Sequence, residues 1–202
     1  DIATSLGPLA VAGAYLLHGI EHILLGFDHL LFVLGLILIV RSTRILLLTV
    51  TGFTLAHSIT LSLATLGVLR VPGPPVEACI ALSILLLASE ILRRQRGEPS
   101  LTAMWPWAVA FSFGLLHGLG FASALIDIGL PQGDIPLALL AFNIGVEVGQ
   151  LAFIAAVIGV IQLAKQFPIS EIVERRLRTV TAYGVGTVAA FWFVERLAGF
   201  WA

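Results

Sequence analysis

Residues 18–32 read HGIEHILLGFDHLLF. Three histidines, a glutamate and an aspartate stand here among apolar residues that continue to Val40, long enough for a transmembrane helix of about 20 residues. Ionisable groups at bilayer depth cost about 2.5–3.5 kcal/mol each on insertion scales. Such groups mark a pathway or a site, and the rest of the chain decides which.

Composition sets the class. Of 202 residues, 58% are hydrophobic and 11% charged, with a mean hydropathy of +1.03; a soluble domain carries roughly 25% charged residues. The chain is expected to be an integral membrane protein whose partners are membrane lipid and a metal ion. A net charge of −1 excludes the basic face of a nucleic-acid binder. One cysteine, Cys79, allows no intrachain disulfide, and one methionine, Met104, leaves almost no soft sulfur. A start at Asp1 is compatible with loss of an upstream signal peptide.

Six stretches meet the length criterion: 20–40, 45–69, 76–92, 105–126, 137–164 and 179–200. Residues 9–19 are apolar beyond the need of one crossing and read as a helix extension or an interfacial segment. Trp105, Trp107, Trp192 and Trp201 fall near span ends, as interfacial aromatics do. Alternate connections carry two, three and four Lys or Arg, against one (Arg70) and none on the other side. The positive-inside rule then puts both termini outside the cytoplasm. The expectation is all-α: one polytopic helical bundle forming a single transmembrane domain over residues 1–202, in the bacterial inner membrane. A faint echo links His57 and Val76-Glu77 with His117 and Val146-Glu147.

At about 100° per residue, His18, His22 and His29 share one helix face, with Glu21 and Asp28 on the adjoining stripe. There the carboxylates either ligate beside the histidines or orient them from behind. Gly26 lies between the two halves and offers a point of bending. The second span adds His57 beside a hydroxyl stripe of Thr51, Thr54, Ser58, Ser62 and Thr65. The fourth adds His117 among Gly114, Gly118 and Gly120, a small-residue spacing that admits another backbone. The fifth carries Asn143, Glu147 and Gln150 on one face.

Counted along the spans, His29, His57, His117 and Glu147 each lie about 15–18 Å into their helices. Four helices thus bring ionisable groups toward the midplane, with His22 and Glu77 nearer the outside as an access station. His18 alone reads as an interhelical hydrogen bonder, the hydroxyl stripe as bonding back to its own helix, and Glu90 as snorkelling to water. The expected metal set is His22, Asp28, His29, His57, His117 and Glu147, supported by Glu21, Glu77, Asn143, Gln150 and Ser58. Imidazole with carboxylate suits borderline divalent ions such as nickel, cobalt, zinc or ferrous iron. No phosphate-binding loop of the G-x-x-x-x-G-K-[ST] type occurs, so the expected carrier is gradient-driven.

The stretches HILLGFDHLLF, FTLAHSITL, VEACIALS, FGLLHGLGFA and FNIGVEVGQ, between Gly19 and Leu151, resemble the HupE/UreJ family of nickel or cobalt permeases found with hydrogenase and urease operons. His22, Gly26, Asp28 and His29 match its H-x-x-x-G-x-D-H signature, which is similar to the H-x-x-x-x-D-H element of the wider nickel/cobalt transporter group. This chain has Ile23 where the better-studied branch has proline, and His117 alone where that branch has two histidines. The resemblance implies a non-enzymatic permease carrying Ni2+ or Co2+ as substrate, with Zn2+ or Fe2+ as further candidates. The rivals are an intramembrane zinc hydrolase, with Ser58 near an activated water, and a structural membrane subunit. Sequence leaves the oligomeric state open.

Overall fold

The computed structural model describes residues 7–122, 125, 134–168 and 170–200. Every regular element among them is a helix: α1 (Pro8–Leu25), α2 (Phe27–Ile39), α3 (Thr43–Thr65), α4 (Gly73–Gln95), the single turn α5 (Leu101–Met104), α6 (Pro106–Gly120), α7 (Ile135–Ala164) and α8 (Glu171–Ala198). Five of these, α1, α3, α4, α7 and α8, are long and apolar enough to cross a bilayer, and α2 is a shorter apolar helix. The protein is a polytopic helical membrane protein.

Local chemistry places the ends. Proline stands in the first turn of α1, α4, α6 and α7, where a missing N–H leaves no helical bond unmade. Ser42, Ser100 and Ser170 cap α3, α5 and α8 by accepting from Ile45, Ala103 and Val173 backbone N–H groups. Gly67 and Gly97, just past α3 and α4, take φ +74° and +75°, the left-handed geometry that closes a helix.

The first crossing departs from the expected 20–40. It begins at Pro8, so residues 9–19 are a helix extension, and it breaks at Gly26, whose ψ of 87° ends α1 before α2 begins. A Cβ there would lie 2.6 Å from the His22 carbonyl oxygen and 3.1 Å from His29 Nδ1. Glycine is thus what lets the two histidine-bearing turns close on each other. The last helix starts at Glu171 rather than 179, because hydropathy marks where a helix enters lipid and not where it begins. Residues 171–178 are exposed helix. Of the fourth span expected at 105–126, α6 covers Pro106–Gly120, and 123, 124 and 126, like Trp201, lie outside the described residues.

Three helix pairs build the bundle, and small residues set two of them. Gly19 approaches the Phe142 carbonyl and Gly145 the Leu16 carbonyl, so α1 runs alongside α7 in the same direction; Gly114 and Gly118 meet the Phe53 and His57 carbonyls, doing the same for α6 on α3. The third pair, α4 with α8, is antiparallel: Thr179 donates to Gln95 at one end and Arg196 to the Glu77 carbonyl at the other.

Apolar residues segregate into two cores. One, at the arginine-rich end, contains Phe32, Leu36, Phe53, Ile84 and Leu87. The other, at the opposite end, contains Val11, Tyr15, Ile23, Leu61 and Phe142. Between them lies a thin polar layer. Glu90 does not snorkel: it accepts from Ser100 Oγ at 2.6 Å and Thr102 N at 3.1 Å, tying α4 to α5. A buried turn with unpaired N–H groups is a stronger demand on that carboxylate than water is.

Candidate metal centre

The polar layer is built at helix ends and breaks. His22 is in the last turn of α1, His29 in the first turn of α2, His117 in the last turn of α6, and His57 about two turns from the end of α3.

His22, His29 and His57 each offer a nitrogen within 4.8 Å of the other two. The rings of His22 and His29 have centroids 4.7 Å apart, and His29 stands 4.7 Å from His117. His57 and His117 are almost wholly buried, at 0% and 1% exposure, and His29 is 6% exposed. His22 Nε2, His29 Nε2, His57 Nε2 and His117 Nδ1 are all buried without a hydrogen-bond partner. One such nitrogen is a tolerable defect. Four converge here from four helices, each such unpaired buried group costing about 1–3 kcal/mol, and three of the four, on His22, His29 and His57, belong to rings close enough together to hold a metal ion.

Supporting residues fix two tautomers. Asn143 Nδ2 donates to the Leu139 carbonyl at 2.7 Å, so its Oδ1, 3.4 Å from His57 Nδ1, accepts from that ring and leaves Nε2 with the lone pair. Ser83 Oγ donates to the Ile80 carbonyl at 2.7 Å, so it accepts from His117 Nε2 at 3.3 Å and leaves Nδ1 with the lone pair. In both rings the free nitrogen is the orphan. This is the arrangement by which proteins orient metal-ligating histidines.

Phenylalanines wall the layer. Phe121 covers His22 at 3.8 Å between centroids and stacks on Phe142; Phe32 and Phe53 lie 5.3 and 5.1 Å from the His117 ring. Metal–nitrogen bonds of about 2.0–2.1 Å set nitrogens roughly 3.4 Å apart in a tetrahedron, so the imidazoles of His22, His29 and His57 need to draw in by at most about 1.4 Å.

The carboxylates stand off. Asp28 is paired with Arg196 at 2.8 Å, and Arg196 also lies 3.8 Å from Glu77, so the expected access station at Glu77 is an ion-pair cluster on α2, α4 and α8. Asp28 and His29 are neighbours in sequence and so point about 100° apart. Glu147 accepts from Thr51 Oγ1 at 2.6 Å and from Thr54 Oγ1, while Gln150 Oε1 lies 2.9 Å from Thr54 Oγ1. Glu147 is therefore one turn along α7 from Asn143, on the side away from the imidazoles. Glu21 is exposed and meets only His18, at 3.4 Å. Ser58 gives its proton to the Thr54 carbonyl at 2.7 Å, and Thr60 likewise bonds back within its own helix. The hydroxyl stripe thus divides: Thr51 and Thr54 reach across to α7, whereas Ser58 bonds back to its own helix.

Two supports were missed in the sequence. Ser83 is one of two hydroxyls, with Ser89, in an apolar span, and no spacing singles it out. Arg196 did carry a signal, as the one basic residue within the last apolar stretch.

Fold and site together define a polytopic helical membrane protein with a buried histidine cluster, of which His22, His29 and His57 lie close enough together that they could hold a metal ion. The family model described as HupE / UreJ protein matches residues 3–196, nearly the whole chain, and the protein belongs to that family. No curated protein and no solved structure matches it.

Proposed function

We propose that the protein is a permease for a divalent transition-metal ion, nickel or cobalt, and that the ion passes through the four-histidine cluster in the bacterial inner membrane. The observation that carries this reading is the set of four buried imidazole nitrogens without partners. The family's association with nickel and cobalt permeation supports the choice of ion, as does imidazole chemistry, which suits these borderline metals.

The cluster supplies neutral ligands and no carboxylate among the described residues. A divalent ion there keeps its full charge within a phenylalanine-walled layer, which favours passage over storage. Glu147, held by Thr51 and Thr54, receives the ion one turn further along α7, whereas the charge of Asp28 is offset by Arg196. A proton competes with the metal for each imidazole lone pair, giving a release step and a route to gradient coupling. Affinity is therefore expected to fall as pH falls.

The test is nickel and cobalt uptake into vesicles containing the purified protein, with and without an imposed pH gradient. Uptake that depends on the gradient and is abolished in His57→Ala and His117→Ala is the expected result. Tight stoichiometric binding with no uptake in either condition refutes transport and leaves a fixed metal site.

A further inference from the structure

Far from the histidines, at the arginine-rich end of the bundle, two cavities share a wall. The first, about 370 Å³, lies between the ends of α2 and α4 and the start of α8; four arginines (Arg41, Arg94, Arg175 and Arg178) line it against two glutamates (Glu171 and Glu174). The second, about 540 Å³, is an apolar groove between α2, α3 and α6 lined by Val40, Ile45, Leu48, Met104 and Trp107. Arg41 and Arg94 line both.

Most local carboxylates are paired with other arginines; Glu171 lines the first cavity but lies within 4.0 Å of no arginine among the described residues. Glu90 and Glu98 lie against Arg93, Glu98 also against Arg96, and Glu174 pairs with Arg178 at 2.9 Å. Among the described residues neither Arg41 nor Arg94 has a carboxylate within 4.0 Å. The like charges of Arg41 and Arg178 both bear on Arg94. A half-buried guanidinium facing two others needs an anion to offset the repulsion. Immediately beside it the groove runs up α3 from Ile45 to Leu48, past Trp107, among residues of the type that face lipid tails.

We infer that Arg41 and Arg94 hold the phosphate of an anionic phospholipid, with an acyl chain lying in the Leu48–Trp107 groove. The ligand class follows from the join: a phosphodiester anion for the arginine pair and a hydrocarbon chain for the groove. A free phosphate would satisfy only the first. Basic pockets between helices at the cytoplasmic side bind anionic headgroups on the same physical grounds. The charge bias of the connections assigns this end to the cytoplasm. The proposal does not depend on which ion the histidines carry.

The experiment uses the purified protein in detergent, with dioleoyl phosphatidylglycerol, dioleoyl phosphatidylcholine or inorganic phosphate as separate additions, read by native mass spectrometry and by thermal unfolding. Phosphatidylglycerol is expected to be retained and to raise the melting temperature by several degrees, while phosphatidylcholine and excess inorganic phosphate do neither. Arg41→Gln/Arg94→Gln should bind phosphatidylglycerol about thirtyfold more weakly, roughly 2 kcal/mol at 1.4 kcal/mol per decade. Leu48→Trp, which fills the groove and leaves both arginines, should weaken it too and serves as the second arm if the arginine variant does not fold. Equal retention of phosphatidylcholine, full stabilisation by inorganic phosphate alone, or wild-type binding in both variants overturns the proposal.

Discussion

Replacing Asn143 with alanine separates a ligand-orienting role from a merely structural one. Asn143 Oδ1 is the acceptor, at 3.4 Å, for the His57 Nδ1 proton, and its amide is itself locked by the Leu139 carbonyl at 2.7 Å. Alanine leaves that proton unpaired, and the free lone pair no longer has to be on Nε2. Interhelical hydrogen bonds of this kind are worth about 0.6 kcal/mol on average and at most about 1.7 kcal/mol, so loss of stability should be small. Removing a group that orients a metal-bound histidine typically costs about 10–100-fold in affinity, or roughly 1.4–2.8 kcal/mol. The assay is nickel titration of the purified protein against a competing indicator dye, alongside thermal unfolding. Gln150→Ala is the control: Gln150 is as buried as Asn143 but meets Thr54 rather than an imidazole. Asn143→Ala should lose at least tenfold in affinity while Gln150→Ala stays near wild type. Equal affinities in the two variants, with both folded, would refute the reasoning.

Glu147→Gln should slow uptake more than tenfold while weakening nickel binding less than His57→Ala does, because Glu147 meets hydroxyls and not the ligand nitrogens; parallel transport and binding assays decide it. Gly118→Ala should destabilise the protein by about 1–3 kcal/mol, since its Cβ falls against the His57 carbonyl and Thr60 Oγ1, whereas Gly52→Ala, with open space around it, should be near neutral in the same unfolding measurement. In a Cys79→Ser background, single cysteines replacing Glu98 or Gln166 should resist impermeant labelling on intact cells while one replacing Asp134 reacts. The reverse pattern would invert the sidedness assigned to the arginine-rich end.

Much of the layer was legible because its residues are wrong for their surroundings. His22, His29, His57 and His117 each interrupt an apolar span, and helical periodicity already put His22 and His29 on one face. Their meeting in the structure follows from that mismatch: lipid offers them nothing. Partner choice was not legible. Asp28 looks like a ligand in sequence because it precedes His29 in the family signature, but its direction is set by Arg196, 168 residues later. Glu147 shares a helix face with Asn143, yet one turn suffices to hand it from the imidazoles to Thr51 and Thr54. The start of α1 at Pro8 was legible only as one of two alternatives, a helix extension or an interfacial segment over 9–19. Windows of about 20 residues measure the thickness of lipid, and a helix that projects past that thickness is counted only in part.

The standing-off of the two acids bears on how a site of this kind would move an ion rather than keep it. A carboxylate placed directly among the four imidazoles would neutralise part of the charge of a divalent ion and hold it in a layer from which the next step is apolar. Here the acids are displaced in opposite senses, Asp28 toward α8 and Glu147 along α7, and each is pinned by partners of its own. The rise between Asn143 and Glu147 is about 6 Å, one turn. On the proposed reading, an ion leaving His57 would meet the Asn143 amide and the Thr54 hydroxyl before it met charge. On that reading the neutral imidazoles make a shallow station, with the charge of Asp28 offset by Arg196 and Glu147 one turn further along α7; the Gly26 break separates His22 on α1 from His29 on α2, while the α3–α6 seam carries His57 and His117.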